Sequence, residues 1–118
     1  MTHTSELTVT TELTAGAMGS GDLPVLATPA MMALMENAAM LAVRDALEVG
    51  QTTVGGQIKA SHLCPTKVGQ RVTATAEVTA VEGRKIYYKV SAHAGDTLLG
   101  EGTHLRFVVD REKFLSRL

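Results

Sequence analysis

There is no tryptophan in this 118-residue chain, and only two phenylalanines, two tyrosines and one cysteine. Each scarcity excludes something. A single thiol, Cys64, cannot close an intramolecular disulfide. A reducing compartment is therefore expected, by default the cytoplasm. With so few rings the core has to be built from Ala, Val, Leu and Met, which bury little area per residue. That shortage predicts a subunit interface to supply the rest. Neither sign of charge dominates: 11 basic against 12 acidic residues give a formal net charge of -1. The Lys and Arg residues are scattered, so the chain has neither the basic footprint of a nucleic-acid binder nor a cationic face for an anionic membrane. No apolar run reaches the roughly 20 residues that span a bilayer. Met1 to Glu12 alternates polar and apolar residues where a signal peptide would be continuously apolar. GxSxG, P-loop and GxGxxG motifs are missing, as is any close His/Cys/Asp/Glu spacing typical of a metal site. Residues 1–118 fit a single domain.

What is present is organised around one stretch, Pro29 to Val43. It consists of helix formers, and only Glu36 and Asn37 interrupt its apolar run. Thr28-Pro29 predicts the start, with Thr28 as N-cap and Pro29 at the first helical position. The helix is expected to reach about Leu47, with Gly50 as terminator. Being apolar nearly all round, it should be buried. A carboxylate in such a helix is costly unless paired or neutralised, which makes Glu36 a candidate acid for catalysis or ligand binding. Thr28 and Glu36 lie about 12 Å apart along the axis. They are roughly 80° apart around it, so they flank one broad face. An oxyanion could also use free backbone N–H groups near the helix N-terminus.

Around this helix the pattern predicts strands. Leu7, Val9 and Leu13 alternate with polar residues, and Ala15 to Pro24 is then expected to be a loop without regular structure. From Thr52 the period is two, with Val54, Gly56, Ile58, Ala60, His62 and Cys64 on one face and Pro65 ending the strand. Val72 to Val81 is the clearest strand, followed by a tight turn at Glu82-Gly83 into Ile86 to His93. A last strand runs from Leu98 to Val109, where Gly100 and Gly102 suggest a bulge, a bend or a close approach. Asp110 to Phe114 should exit into one helical turn. One strand, a helix apolar on all sides and four further strands predict an α+β fold, one antiparallel sheet wrapped around a central helix.

His62 shares its face with Ile58 and Ala60 and so points towards the helix, where it can meet Thr28 and Glu36. His104 and Arg106 share a strand face that reads as solvated, although the two could pair or touch a phosphate. His3 and His93 read as surface residues. Cys64 reads as a small core residue, since nothing near it in sequence would lower its pKa.

Taken together, Leu34-Met35-Glu36, His62, Val81-Glu82-Gly83-Arg84, Val90-Ser91-Ala92-His93 and Gly102-Thr103-His104-Leu105-Arg106 carry a resemblance. From about Thr28 to Phe114 the chain resembles hot-dog-fold thioesterases, in particular the fluoroacetyl-coenzyme A thioesterase group. The resemblance implies an acyl-coenzyme A substrate, no separate cofactor and no metal. It also implies a homodimer with two equivalent sites at its interface. The family's catalytic residues fall on Thr28, Glu36 and His62, and its substrate-binding glycine and arginine on Gly55 and Arg106. One departure lies upstream: the fluoroacetyl-selective member carries an aromatic lid there, and Gly19 to Leu26 holds no aromatic residue. That departure bears on the fluoroacetyl substrate and leaves the implied thioester chemistry untouched. A non-catalytic acyl-coenzyme A binding or sensing module is the alternative on the same fold, and a hydratase a weaker third.

Overall fold

A computed structural model describes residues 1–118. The apolar run forms the long helix α2 (Thr28–Ala42). No β-branched residue follows Thr28 until Val43, so nothing in the helix interior opposes its strong formers. It is shorter than its composition suggests. Val43 is the C-cap, Arg44–Ala46 is a 3-10 turn, and Gly50, at φ 88, turns the chain into the next strand. The N-terminus differs too. Ala27 is the N-cap and Thr28 the first helical residue, which leaves the Thr28 hydroxyl free for other use.

Five strands form one antiparallel sheet: β1 (Thr2–Thr8), β2 (Gln51–His62), β3 (Arg71–Glu82), β4 (Lys85–Ala94) and β5 (Thr97–Asp110), in the order β1-β3-β4-β5-β2. Gly83, with φ 60, makes the β3–β4 hairpin turn at the position that needs a left-handed residue. The helix lies across this sheet. Ala30, Met31, Leu34, Met35, Ala38 and Ala39 are buried against Val72, Ala74, Ala76, Val90, Ala92 and Leu99. Alanines on both sides let helix and sheet approach closely. The expectation that the helix is buried all round holds for one face only. Ala33, Asn37 and Met40 face outward in the single chain, and Glu36 sits at the border. Asn37 has a structural task, accepting a 2.7 Å hydrogen bond from Ser5 Oγ that ties the helix to β1.

The N-terminal segment departs most from the sequence pattern. The strand is Thr2–Thr8, upstream of the expected Leu7 to Leu13, because Thr2 to Thr8 pairs along β3 from Glu77 to Arg71. Thr11–Leu13 is a 3-10 turn instead. The expected loop contains one helical turn, α1 (Ala15–Met18), capped by the Thr14 side chain and ended by Gly19 at φ 75. At the other end α3 (Arg111–Ser116) starts as expected, with Asp110 accepting from Lys113 N. No helix is long and apolar enough to cross a membrane.

Gly100 and Gly102 mark close approaches, by neighbouring protein rather than by a ligand. A Cβ on Gly100 would lie 2.7 Å from the end of Met31, and one on Gly102 only 1.9 Å from the Lys59 carbonyl oxygen of β2. Backbone cannot yield as a side-chain end can. Gly102→Ala is therefore expected to destabilise the fold by about 3 kcal/mol. Gly100→Ala, where Ser61 O at 2.6 Å adds a second backbone clash, should also be destabilising. Urea midpoints for both variants check this, and an unchanged midpoint for Gly102→Ala would contradict the packing.

Candidate active site

Three elements converge on Glu36. Its carboxylate projects from mid-helix towards β2 and β5, with Oε2 3.9 Å from Arg106 Nη1. A Cβ on Gly55 would lie 2.9 Å from the same oxygen, so only glycine leaves the carboxylate its place. The Glu36 side chain is 40% exposed, against 8% for Arg106. A buried cation thus anchors one carboxylate edge while solvent or a ligand can reach the acid.

Gly55 faces the helix because of a bulge. Gly55 pairs with Arg106 and Gln57 with Leu105, leaving Gly56 as the extra residue. Gly56 is pressed against the Phe107 ring, where even a Cβ would come within 2.2 Å. The bulge reverses the face pattern expected from Val54 and Gly56: upstream of it Thr53 and Gly55 point inward, and downstream Ile58, Ala60 and His62 do.

Arg106 and His104 are buried, at 6% and 3% exposure, rather than on the solvated strand face expected. Arg106 Nε donates to Thr53 Oγ1 at 2.9 Å and Nη2 to the Thr53 carbonyl at 3.0 Å. Its Nη1 lies 3.3 Å from His104 Nε2. His104 Nδ1 is 2.7 Å from the Gln57 carbonyl oxygen, which can only accept. Nδ1 therefore carries the proton, and Nε2 offers its lone pair to the guanidinium. Burial lowers the His104 pKa, an effect partly opposed by the bond to Gln57. Tyr88 stacks on this ring at 5.7 Å between centroids, and burial pushes its own phenol up to about 12.

A second group forms at the helix N-terminus. Thr28 Oγ1 and His62 Nδ1 share a 2.8 Å hydrogen bond, while His62 Nε2 is buried without a partner. Beside them is a cavity of about 290 Å³ whose wall includes Val25, Leu26, Leu63 and Cys64. Thr28 and His62 thus meet, as do Glu36, Gly55 and Arg106, but the chain keeps the two groups apart. Gly55 and His62 stand at opposite parts of one strand, about 20 Å apart at the usual rise. Sequence reading passed over His104, Thr53 and Tyr88 as site residues. The only signal for His104 was its place on the strand face of Gly100 and Gly102, two positions where β5 is crowded.

Since the His104 pKa is lowered on folding, the unfolded chain binds more protons once the pH falls through the ordinary value of 6.5. The His104 contribution to stability is therefore present above that pH and is lost as the pH drops towards the lower folded value. Urea midpoints measured from pH 8 to 5 should be level at first and then fall, with a shallower fall in His104→Gln.

Comparison with known proteins identifies the family and the fold. The family model for the fluoroacetyl-CoA-specific thioesterase FlK matches residues 9–112. The fluoroacetyl-CoA thioesterase of Streptantibioticus cattleyicolor is 43% identical over 94 residues, covering 80% of this chain and 68% of that protein. A solved variant of the fluoroacetyl-CoA thioesterase FlK, in complex with acetyl-CoA, superposes with a TM-score of 0.93 at 34% identity, covering 99% of this chain and 92% of that one. A thioesterase superfamily member from Thermus thermophilus superposes with a TM-score of 0.92 at 28% identity, covering 99% and 87%. This chain is a hot-dog-fold thioester hydrolase and belongs to the FlK family of fluoroacetyl-CoA-specific thioesterases.

Proposed function

We propose that the protein hydrolyses small or short-chain acyl-coenzyme A thioesters, with Glu36, His62 and Thr28 as catalytic residues and Gly55 and Arg106 binding substrate. The observation that carries this reading is the Glu36 carboxylate, solvent-accessible, seated over a glycine and anchored on one edge by a buried arginine. Glu36 either attacks the thioester carbonyl carbon or takes a proton from the water that does. If Glu36 attacks, the C–S bond breaks to leave a mixed anhydride on Glu36, which water then cleaves; if Glu36 acts as base, water adds directly and the C–S bond breaks from the adduct. In both routes coenzyme A leaves as its thiol and the acyl group as the free acid. His62, oriented by Thr28, protonates the departing sulfur through its unpartnered Nε2 and regains the proton that the water gives up. The acetyl-CoA held by the FlK variant is consistent with a short acyl group.

The separation of the two groups supports a site shared between subunits. Strand β2 is a sheet edge of 12 residues without proline, a surface that usually needs cover. Two such edges can pair antiparallel about a two-fold axis at Lys59, which sets Ile58 opposite Ala60 and Gln57 opposite Ser61. That register sets His62 of one protomer opposite the bulged Gly55-Gly56 of its partner, with Gly55 on the same face, and so brings His62 and Thr28 to the partner's Glu36. A homodimer of this kind has two equivalent sites.

Thiol release from a panel of acyl-coenzyme A esters tests the activity. Glu36→Ala should stay folded and lose hydrolysis by about 100-fold or more. Stoichiometric ester binding without thiol release by the wild type would instead make the protein a binding or sensing module. Glu36→Ala and His62→Ala, each inactive alone, should regain about a quarter of wild-type activity when mixed one to one and allowed to exchange subunits. Random exchange makes half the dimers mixed, each with one intact site. No recovery after verified exchange would place the whole site within one chain. Gly55→Ala should lower kcat while the unfolding midpoint stays near wild type, because the flexible end of Glu36 is what must move.

A further inference from the structure

We propose that His104 is a positioning residue: its imidazole ties the β2 bulge to Arg106 and thereby aims the guanidinium at Glu36. The kinetic part of this proposal rests on the thioesterase reading above; the structural part does not.

Arg106 is held on one edge by the two bonds to Thr53. Those bonds hold one edge of the planar guanidinium but leave Nη1, the nitrogen nearest Glu36, without an acceptor of its own. His104 Nε2 supplies the acceptor that this nitrogen requires. With one Nη1 hydrogen turned to the imidazole, the other is directed to the side where Glu36 and a bound substrate lie. At its far end the same ring donates to the carbonyl of Gln57, the first residue after the bulge. One imidazole therefore sets both the guanidinium and the strand segment that carries Gly55.

The ring is itself held. Tyr88, directly opposite on β4, stacks on it with an interplanar angle of 28°. The titratable groups facing it are Tyr88 from β4, Arg106 from β5 and Glu36 from α2. An imidazolium would turn Nε2 into a donor pointing at a guanidinium. Burial and the adjoining cation both disfavour that form. His104 touches neither substrate nor reacting atoms, so its effect passes through Arg106 and the bulge.

Two substitutions separate these roles. His104→Phe keeps the ring and its stack on Tyr88 but has no acceptor. His104→Gln loses the ring but can present an amide oxygen to Nη1. The Arg106 side chain is followed by nitrogen-15 NMR, and thiol release from acetyl-coenzyme A supplies kcat and KM. In wild type and His104→Gln the Arg106 Nη signals should be resolved and slowly rotating, with kcat within about 3-fold of each other. In His104→Phe the Nη signals should average, and kcat should fall by about 10- to 100-fold. If the Phe variant does not fold, His104→Asn replaces it, since Asn reaches Gln57 but is too short for Arg106. An ordered Arg106 or wild-type turnover in the variant lacking the acceptor would overturn the proposal. Equal impairment of the Gln variant at equal stability would do the same. A wild type that releases no thiol from any ester would remove the thioesterase reading alone, and the Arg106 spectra would still decide the positioning role.

Discussion

A guanidinium buried beside a carboxylate is the constraint from which most of this site follows. Arg106 is withdrawn from water between the sheet and α2, and an uncompensated buried cation costs several kcal/mol. Every neighbour is fitted to that demand. Thr53 gives a hydroxyl and a carbonyl, His104 gives a lone pair, and Glu36 gives the opposing charge. A regular β2 would turn Thr53 and Gly55 to the outer face. The bulge at Gly56 is what lets that strand serve Arg106 upstream and still point His62 inward downstream. His104 must stay neutral for the same reason, and its bond to a carbonyl selects the tautomer that can accept from Arg106.

The helix links this cation to the rest of the fold. Its buried face of small residues brings it close to the sheet, and Gly100 and Gly102 bring β2 and Met31 close to β5. Loosening either contact would shift Glu36 relative to Arg106. Only 25 of 118 residues are buried in the single chain, and the outer helix face still carries Ala33 and Met40. Such a sparse core accords with the scarcity of aromatic residues and with the proposed pairing of two subunits.

The sequence revealed the architecture where periodicity was undisturbed. The helix, the four later strands and the exit into α3 follow from apolar spacing and turn residues, with ends displaced by a few positions. It misled where pairing partners override pattern. The stretch from Thr2 to Glu6 contributes only polar residues to the N-terminal pattern, yet β3 offers it an edge and it forms a strand. Thr28 looked like an N-cap, but Ala27 takes that position and the hydroxyl goes to His62. Glu36 and His62 stood out as candidates because each is a polar residue on an apolar face. Arg106 and Gly55 came from family resemblance alone, since a bulge leaves no trace in alternation. His104 escaped for the most physical reason: two polar residues on one strand face look solvated until a helix is seen to cover them.

That same bulged strand has a second consequence. Upstream of Gly56, β2 is shaped by Arg106; downstream, Gln57 to His62 is the segment that the proposed dimer pairs with its copy. The bulge is the only irregularity between them, so it fixes how far His62 lies from Gly55 along the edge. On an antiparallel two-fold pairing, that spacing also fixes where each His62 falls opposite the partner's Gly55. If every residue through Gly56 were paired regularly, without the bulge, Gly55 and His62 would fall on opposite faces. Regular pairing would also slide the histidine away from the partner's Glu36 without altering either residue. In the proposed dimer the bulge is thus needed twice, to house the arginine within one chain and to set the reach of the histidine into the next.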